Sequence, residues 1–431
     1  MIHTYEDALQ YVDSKKVAGI RYDLKRIEAL MENLRHPERK VKTIHVAGTN
    51  GKGSTVTYLR SMLSEANFFV GTFMTPVFGE VREQISINGI PMSEEDFTLV
   101  ITEIQPVIKE TELELGETIS EFELMTTLAF YYFSFKKPVD IAVIEAGMGG
   151  KNDATNVAVP LVSIITNVAM DHEQFLGNSI AEISEEKAGI IKPGIPVFTG
   201  ATGVSLQIIQ QVANQKKSKA YNIREHCTYS TEYKDGKQKL TYQAPYRNLE
   251  GIHLGMAGEH QGENAALAIL AVDYLKQYYA LMVDDDQIEK GMEKAKLPGR
   301  FEIINGPPPI ILDTAHNPDA VIRMLSTLTR VFPKKKVHVL FASMRDKEVE
   351  KMLTLLHESS NVSKILVTSF LSPRAMDVGE YETFNTMVEI GRKIDNPSKW
   401  INDWKRTNTD TDDILLITGS HQFIGEMRKQ C

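Results

Sequence analysis

Apolar and polar residues follow two recurring patterns along the chain, one with helical spacing and one made of short, mostly apolar runs. Residues 24–34 carry apolar side chains at helical spacing, which predicts the second of two opening helices. The run 41–47 is strand-like, and the mostly apolar runs 139–144 and 161–166 are typical of strands that are buried on both faces. Strands that alternate with helices in this way predict an α/β fold with a mostly parallel sheet covered by helices.

The pattern changes at two places. Residues 216–250 are rich in Lys, Tyr, Gln and Thr and contain an Asp-Gly turn signal, so we predict a small antiparallel sheet there. Helical periodicity breaks at 296–300, which we interpret as a hinge, and the strand–helix pattern then restarts. We therefore predict an N-terminal parallel-sheet domain at 1–297 and a smaller, Rossmann-like α/β domain at 298–431.

Composition excludes several classes of protein. The 431 residues include 48 basic and 57 acidic side chains, a net charge of −9, which argues against broad binding to nucleic acid or to an anionic membrane. No basic leader precedes an apolar core, and no apolar run reaches the ~20 residues of a spanning helix. The two cysteines, Cys227 and Cys431, fit a reducing compartment. We expect a cytoplasmic monomer without nucleic-acid or membrane partners.

The strongest local signal is the segment 48–54, Gly-Thr-Asn-Gly-Lys-Gly-Ser, which lies between a predicted strand and a predicted helix. Glycines let successive N–H groups face an anion, the helix N-terminus adds partial positive charge, and Lys52 adds a full charge. The segment departs from the plain Walker A pattern, because Val46 replaces the first glycine and Gly53 separates Lys52 from Ser54. A simple glycine turn is the alternative. The glycine–lysine pair favours a triphosphate, which makes the first domain a P-loop ATPase domain.

Polar residues follow several of the predicted strands. Glu145 ends the apolar run 139–144, and His172 follows another such run. A carboxylate at the carboxyl end of a parallel strand beside a phosphate loop is placed to bind Mg²⁺, although either residue alone is more often structural. Residues 313–318, Asp-Thr-Ala-His-Asn-Pro, form a similar cluster in the second domain, with a turn as the alternative. Lys187 by itself is interpreted as a lysine on a helix surface.

Taken together, these segments resemble folylpolyglutamate and dihydrofolate synthases of the Mur ligase superfamily. The matching segments, seven in number and in the family's order, are 45–54, 145–156, 171–177, 186–194, 258–264, 298–302 and 313–318. The resemblance therefore covers the whole chain. It implies an ATP-dependent ligase that adds L-glutamate to a folate through an acyl phosphate and that acts on dihydropteroate as well; an enzyme that acts mainly on dihydropteroate is the alternative.

The resemblance also implies roles for the matching residues. Those that would bind ATP are Gly51, Lys52, Gly53, Ser54, Asn264, Arg300 and Asp313. Those that would bind Mg²⁺, with two ions expected, are Thr75, Glu145 and His172. Those on the acceptor side are Phe122, Glu123 and Asp153. The catalytic residues would be Lys52, Lys187 and His316, with Lys187 carbamylated and His316 and Asp313 reaching over from the second domain.

Departures from the family pattern cluster on the acceptor side. Gln84 stands where the family has arginine, Lys151-Asn152 where it has arginine and an apolar residue, and 21–24 lack the usual glycine. His421-Gln422 replaces the common Leu-Tyr. Since glutamine cannot replace an arginine's bidentate contact to an anion, we predict that folates with a glutamate tail are better acceptors than dihydropteroate.

Three other classes of protein fit this sequence less well. A cell-wall ligase of the same superfamily carries an additional N-terminal UDP-binding domain, for which we expect no room before a loop that begins at Gly48. A P-loop switch or kinase would favour the plain Walker A pattern. A non-catalytic nucleotide-binding regulator predicts no glutamate-dependent release of ADP.

Overall fold

The computed structural model describes residues 2–19, 22–304, 306, 308–384, 390–408 and 413–431. The chain divides into two compact units. Unit 1 comprises Met1–Tyr229, Thr241–Glu250 and Glu263–Lys294, and unit 2 comprises Ser230–Leu240, Gly251–Gly262 and Ala295–Cys431. Arg21, one of the departures named above, lies outside the described residues. Within those residues, no helix is both long and apolar enough to cross a membrane.

The main sheet of unit 1 is mostly parallel. The described strands are β1 (Thr43–Ala47), β2 (Val70–Phe73), β3 (Ile85–Ile87), β4 (Ile90–Pro91), β5 (Ile141–Glu145), β6 (Val162–Ile165), β7 (Val197–Thr199) and β8 (Ala220–Asn222). Their order is β4-β3-β2-β5-β1-β6-β7-β8. The strands from β2 to β8 in that order pair in parallel, whereas β3 and β4 pair antiparallel at one edge. All residues of the central strand β1 are buried.

The helices of this part of the chain include the one predicted from the apolar spacing at 24–34. They are α1 (Tyr5–Ser14), α2 (Lys25–Asn33), α3 (Lys52–Glu65), α4 (Glu94–Leu115), α5 (Glu121–Tyr131), α6 (Glu173–Leu176), α7 (Ile180–Ala188), α8 (Gly203–Gln215) and α9 (Ile223–His226). The apolar positions Ile27, Leu30 and Met31 of α2 are buried in the hydrophobic core, as their spacing predicts. A capping box of Ser120 and Glu123 begins α5, because these side chains bind N–H groups that the first turn leaves unpaired.

A small three-stranded sheet follows, with the order β11-β10-β9. It consists of β9 (Thr228–Lys234), β10 (Lys237–Ala244) and β11 (Arg247–Leu254), and the helices α10 (Glu259–Tyr279) and α11 (Asp285–Lys294) come next. We predicted that this small sheet begins at 216. That start is wrong, because 220–226 form β8 and α9. The polar composition misled because β8 is the last strand of the main sheet, and such edge strands carry polar residues much as hairpins do.

Unit 2 contains a second α/β layer. Its described strands are β12 (Glu302–Ile304), β13 (Ile310–Leu312), β14 (Val337–Phe341), β15 (Val362–Thr368), β16 (Ile390–Ile394) and β17 (Ile414–Thr418), in the order β12-β13-β17-β14-β15-β16. Its helices are α12 (Pro318–Val331), α13 (Val349–Glu358), α14 (Pro397–Thr407) and α15 (His421–Arg428). β12 is antiparallel to β13, and the other pairs are parallel. The predicted fold class is confirmed. The domain boundary at 297/298 and the hinge at 296–300 stay predictions.

Candidate active site

Four neighbouring parallel strands of unit 1 bring the predicted polar residues to one edge of the sheet. In the order β2-β5-β1-β6, β2 is followed by Thr75, β5 ends in Glu145, β1 leads into the loop 48–51, and β6 is followed by 166–172. Carboxyl ends of adjacent parallel strands lie at the same edge, which is where α/β proteins bind ligands. The sheet order therefore explains why residues far apart in sequence belong to one candidate site.

The glycine-rich loop has the geometry of an anion site. Gly51 caps α3 with a φ of 85°, and a Cβ atom there would lie 2.4 Å from Oδ1 of Asn264. Glycine is therefore required both by the backbone conformation and by the close approach of this amide. α3 begins at Lys52, inside the segment 48–54 that was predicted to precede the helix. The N–H groups of Lys52, Gly53 and Ser54 thus lie in the first turn, where no carbonyl of the helix accepts them.

The segment after β6 fixes this loop in place. The N–H of Thr49 donates to the carbonyl oxygen of Asn167 at 3.0 Å, and the N–H of Asn50 donates to Oδ1 of Asn167 at 3.0 Å. The hydroxyl of Thr166 donates to the carbonyl oxygen of Asn50 at 2.7 Å. Sequence reasoning missed Thr166 and Asn167. Their signal was the polar pair that ends the apolar run 161–165.

Two lysines converge on one carbonyl group of the loop. Nζ of Lys52 donates to the carbonyl oxygens of Gly48 at 3.0 Å and Thr49 at 3.2 Å, and Nζ of Lys187 donates to the same Gly48 oxygen at 3.0 Å. Lys187 is 3% exposed, so its interpretation as a surface lysine is wrong: it lies on the buried side of α7 together with Ile183. Burial, followed by repulsion from Lys52, lowers the pKa of Lys187 to about 7.

Of the three predicted metal ligands, Thr75 and Glu145 are in direct contact, and the described contacts of His172 are with another residue. Glu145 is 4% exposed, and its Oε2 accepts a hydrogen bond from the N–H of Thr75 at 3.3 Å. His172 is partly exposed, with Nε2 3.9 Å from Oδ2 of Asp171. Among the described residues, no group of three or more His, Cys, Asp or Glu is arranged to hold a metal ion. A buried carboxylate beside a threonine nevertheless fits Mg²⁺, which uses one or two carboxylates and keeps several waters, whereas histidine nitrogen is a poorer ligand for it.

On the predicted acceptor side, Phe122 and Asp153 lie at the loop that follows Glu145. A Cβ atom on Gly147 would lie 2.6 Å from Cζ of Phe122, so the ring covers the loop. Oδ2 of Asp153 accepts from the N–H of Met148 at 2.8 Å, and burial raises the pKa of Asp153.

Glu123, the third predicted acceptor residue, is engaged by the protein itself. Its Oε1 accepts from Nε of Arg26 at 3.0 Å, in an ion pair whose side chains are 2% and 5% exposed. Its Oε2 accepts from the N–H and the hydroxyl of Ser120 at 2.8 and 2.6 Å. The structure thus gives Glu123 a role in holding α2 against the start of α5.

Tyr22 is a further residue of this region that sequence reasoning missed. Its hydroxyl donates to Oε2 of Glu186 at 2.9 Å and accepts from the N–H of Gly150 at 3.4 Å. Tyr22 thus ties the loop that follows Glu145 to α7, at the residue before Lys187. The sequence offered no signal for this contact beyond the place of Tyr22 within 21–24, a departure from the family pattern.

In unit 2, the predicted ATP-binding and catalytic residues lie close together at the loop that follows β13. Nη1 of Arg300 donates to the hydroxyl of Thr314 at 2.6 Å, and Nδ1 of His316 lies 2.9 Å from the carbonyl oxygen of the same threonine. Asp313 accepts from two backbone N–H groups, those of Phe301 at 2.9 Å and Ala315 at 2.8 Å, and burial raises its pKa. The backbone of 313–315 therefore organises this cluster.

His421, a departure from the family pattern, lies against the same cluster. Its Nε2 is 3.4 Å from Nη2 of Arg300, and its ring centroid is 5.4 Å from that of His316.

Comparison with known families places the two α/β layers and the phosphate loop in a defined class. The model of the Mur ligase middle domain matches residues 46–272, and that of the Mur ligase glutamate ligase domain matches residues 299–421. The protein is thus a Mur ligase by class. It is 36% identical over 438 residues to the dihydrofolate synthase/folylpolyglutamate synthase of Bacillus subtilis, with 100% of each chain covered.

Two solved structures show the same fold over nearly the whole chain. Mycobacterium tuberculosis folylpolyglutamate synthase complexed with ADP and AMPPCP has a TM-score of 0.88 and 29% identity, and the match covers 99% of this chain and 98% of that one. E. coli FolC in complex with DHPP and ADP has a TM-score of 0.87 and 25% identity, with 99% and 97% covered. The chain belongs to the folylpolyglutamate synthase/dihydrofolate synthase family of ATP-dependent ligases, which form amide bonds with glutamate. The family predicted from the sequence is confirmed.

Proposed function

We propose that this protein joins L-glutamate to a folate at the expense of ATP, through an acyl phosphate, and that it acts more weakly on dihydropteroate. The observation that carries the proposal is the convergence of Lys52 and Lys187 on the carbonyl oxygen of Gly48, at the N-terminus of α3. The ammonium of Lys52 beside the first N–H groups of the helix concentrates positive charge where a polyphosphate needs it, and Lys187 adds to that charge when it is protonated. Relatives of this family whose structures hold ADP or AMPPCP support ATP as that ligand.

The reaction begins with ATP on the loop. N–H groups of Lys52, Gly53 and Ser54 and the ammonium of Lys52 would hold its phosphates, with the Asn264 amide beside Gly51. A carboxylate oxygen of the acceptor attacks the γ-phosphorus, the bond to the β–γ bridging oxygen breaks, and ADP leaves. Phosphoryl transfer needs positioning and charge neutralisation more than covalent help, which is what this cluster supplies.

Amide formation completes the reaction. The neutral amine of glutamate attacks the acyl carbon, inorganic phosphate leaves with its electron pair, and the amine loses a proton. Water would hydrolyse the acyl phosphate, so exclusion of water from the site is part of the function. Arg300, Asp313 and His316, which are organised around Thr314 within unit 2, stay predicted ATP-binding and catalytic residues.

Magnesium and a modified lysine complete the proposed site. Thr75 and Glu145, with His172 as a more distant candidate, would hold Mg²⁺, which when bound neutralises phosphoryl charge; we propose two ions. The amine of Lys187, with a pKa lowered to about 7, is largely neutral just above that pH and can attack CO₂ to give a carbamate and a proton. Carbamylation would replace the repulsion between Lys187 and Lys52 with attraction and would supply an anionic ligand.

The proposed preference for a folate over dihydropteroate rests on two side chains of the predicted acceptor side, Gln84 and Lys151. Gln84 stands where the family has an arginine, while the side chain of Lys151 is exposed on the loop that carries Asp153. An exposed lysine can bind the glutamate tail of a folate, which dihydropteroate lacks. Mainly dihydrofolate synthase activity is the second candidate, and the E. coli FolC complex with DHPP favours it.

One assay tests both candidates. Glutamate-dependent phosphate release is measured with ATP and Mg²⁺, offering dihydropteroate, a monoglutamyl folate or no acceptor. We expect a higher kcat/KM for the folate and no release without an acceptor. A clear preference for dihydropteroate would establish the second candidate, and phosphate release that never depends on glutamate would refute the ligase proposal. We propose the cytoplasm as the site of action.

A further inference from the structure

Three buried side chains form a hydrogen-bonded chain from the centre of the main sheet to the acceptor-side carboxylate. His45, in the middle of β1, has no exposed surface, and its Nε2 lies 2.8 Å from the hydroxyl oxygen of Thr155. Thr155 is likewise fully buried, and its hydroxyl donates to Oδ1 of Asp153. The reaction steps above use neither His45 nor Thr155.

The proton positions along this chain follow from the donors around Asp153. The backbone N–H groups of Thr155 and Met148 also donate to its carboxyl group, at 3.0 and 2.8 Å, so three donors surround it and it is arranged as an ionised acceptor. A threonine hydroxyl has a single proton. Since that proton goes to Asp153, the hydroxyl oxygen must accept from His45, whose proton is therefore on Nε2.

The surroundings of His45 agree with this tautomer. Nδ1 of His45 is buried and has no hydrogen-bond partner among the described residues, so the imidazole interacts through Nε2 alone. Burial lowers the pKa of His45 to about 3, and the ring stays neutral over the whole range in which the enzyme would work. If the proton moved to Nδ1, Nε2 would compete with Asp153 for the threonine hydroxyl.

We propose that His45 is a positioning residue that acts through Thr155. By donating from Nε2, it fixes the single hydroxyl proton of Thr155 on Asp153 and so holds this carboxylate ionised and in one orientation. An ionised carboxylate accepts N–H bonds from the pterin ring of the acceptor. The inference rests on the proposed function, because it takes Asp153 as an acceptor contact.

A merely structural histidine makes a different prediction. Replacement of a structural histidine would change stability and expressed yield, and it would alter the KM values for ATP and for the acceptor alike. Any substitution that restores packing would then restore both. A positioning role instead requires a donor at the place of Nε2. It affects the acceptor KM and its pH dependence and leaves the KM for ATP unchanged.

Four variants separate these roles. His45→Leu removes the donor and should raise the acceptor KM about fivefold, the effect of one hydrogen bond. Thr155→Val removes the charge-assisted bond itself and should raise it about tenfold or more. His45→Gln, whose amide can donate from a similar place, and Thr155→Ser, which keeps the hydroxyl, should stay within about twofold of wild type. Thr199→Val is the matched control, since Thr199 is another fully buried hydroxyl, bonded to the carbonyl of Ile165.

The pH profile gives a second measurement. Loss of a hydrogen bond to the ionised form raises the pKa of a carboxyl group, so in Thr155→Val the acid limb of kcat/KM for the acceptor should move to higher pH. The control should keep the wild-type profile. Equal increases in the KM for ATP and the KM for the acceptor would overturn the positioning role. So would an acceptor KM in His45→Gln as high as that in His45→Leu.

A measurement independent of activity separates this inference from the proposed function. In protein with ¹⁵N-labelled histidine, His45 should show a protonated Nε2 and a bare Nδ1 from about pH 6 to 8, with His45→Gln identifying its signals. The opposite tautomer would refute the proton arrangement even in an active enzyme. A wild-type protein that uses no folate acceptor, yet shows the expected tautomer, would refute the proposed function and with it the acceptor role of the chain.

Discussion

Replacement of Lys187 by methionine tests the most unusual group of the site. Methionine keeps most of the length of the buried side chain and removes the amine. We expect Lys187→Met to lose ligase activity and, in CO₂-free buffer at low pH, to be more stable than the wild type. Both effects follow from one observation, the burial of an amine next to Lys52.

The size of the stability effect follows from the pKa of Lys187. Burial lowers it from 10.5 to about 7, and at 1.36 kcal/mol per pH unit this corresponds to about 5 kcal/mol. The lost hydrogen bond to Gly48 offsets about 1 kcal/mol, which leaves about 4 kcal/mol in favour of methionine. Between pH 7 and 10.5 the unfolded wild type binds more protons than the folded one, so wild-type stability rises with pH over that window. The advantage of methionine is therefore full below pH 7, smaller by about 3 kcal/mol at pH 9, and absent above pH 10.5.

The effect on activity follows from the same pKa. At pH 7.5, roughly three quarters of the Lys187 amine is neutral, compared with roughly one in a thousand for an ordinary lysine. Only the neutral amine attacks CO₂, so wild-type activity should fall below about pH 7 and should depend on dissolved CO₂ or bicarbonate. Lys187→Ala should be inactive and should regain part of its activity with short carboxylates such as acetate, which can occupy the space left by the side chain.

The measurements are phosphate release with and without bicarbonate and urea unfolding at pH 6.5 and pH 9. Lys192→Met is the matched control, because Lys192 is partly buried and burial lowers its pKa to about 8, while its Nζ donates to the carbonyl oxygen of Asn156 at 2.6 Å. The control should show no dependence on added carboxylates. Lys187→Ala with full activity in carboxylate-free buffer, or Lys187→Met less stable than wild type at pH 6.5, would refute the reasoning.

Three further substitutions test other parts of the site. Lys52→Ala should keep the fold, checked by circular dichroism, and reduce kcat on the order of 10²-fold or more; activity within a few-fold of wild type would contradict the phosphate role of the loop. Glu145→Gln should raise the Mg²⁺ concentration needed for half-maximal activity, because it removes a hard anionic oxygen, and an unchanged Mg²⁺ titration would make this residue structural. Arg26→Met should cost roughly 3–5 kcal/mol in urea unfolding, since it strands the buried charge of Glu123; the double change with Glu123→Gln should recover much of that loss, and no recovery would contradict the ion pair.

The parts of the fold that the sequence predicted well are those fixed by local pattern. β1 and β6 lie within the predicted runs 41–47 and 161–166, because a mostly apolar run is recognised without long-range information. The start of α3 was misplaced, because the helix begins inside the glycine loop, where composition resembles a turn. β8 was misassigned because a polar edge strand and a polar hairpin strand have the same composition.

Side-chain roles were harder to predict, because they depend on which side of a helix faces the protein. Helical spacing cannot tell whether Lys187 lies on the solvent side or the buried side of α7, and only the contact with Gly48 decides it. The same holds for Glu123, whose carboxylate is satisfied by Arg26 and Ser120, two partners that no spacing rule connects. Local motifs therefore predicted the phosphate loop, while the charge environment around it required the tertiary structure.

The shared carbonyl of Gly48 links nucleotide binding to the state of Lys187. With both amines protonated, the loop concentrates positive charge and favours a polyanion. Carbamylation would turn one of these cations into an anion and weaken the attraction for the phosphates, unless Mg²⁺ bound near Glu145 restored the balance. Under the proposed function, the carbamylated enzyme should therefore depend more steeply on Mg²⁺ for nucleotide binding than the enzyme in CO₂-free buffer. Under the same proposal, the dependence on Mg²⁺ would follow in part from the two lysines that donate to the Gly48 carbonyl oxygen.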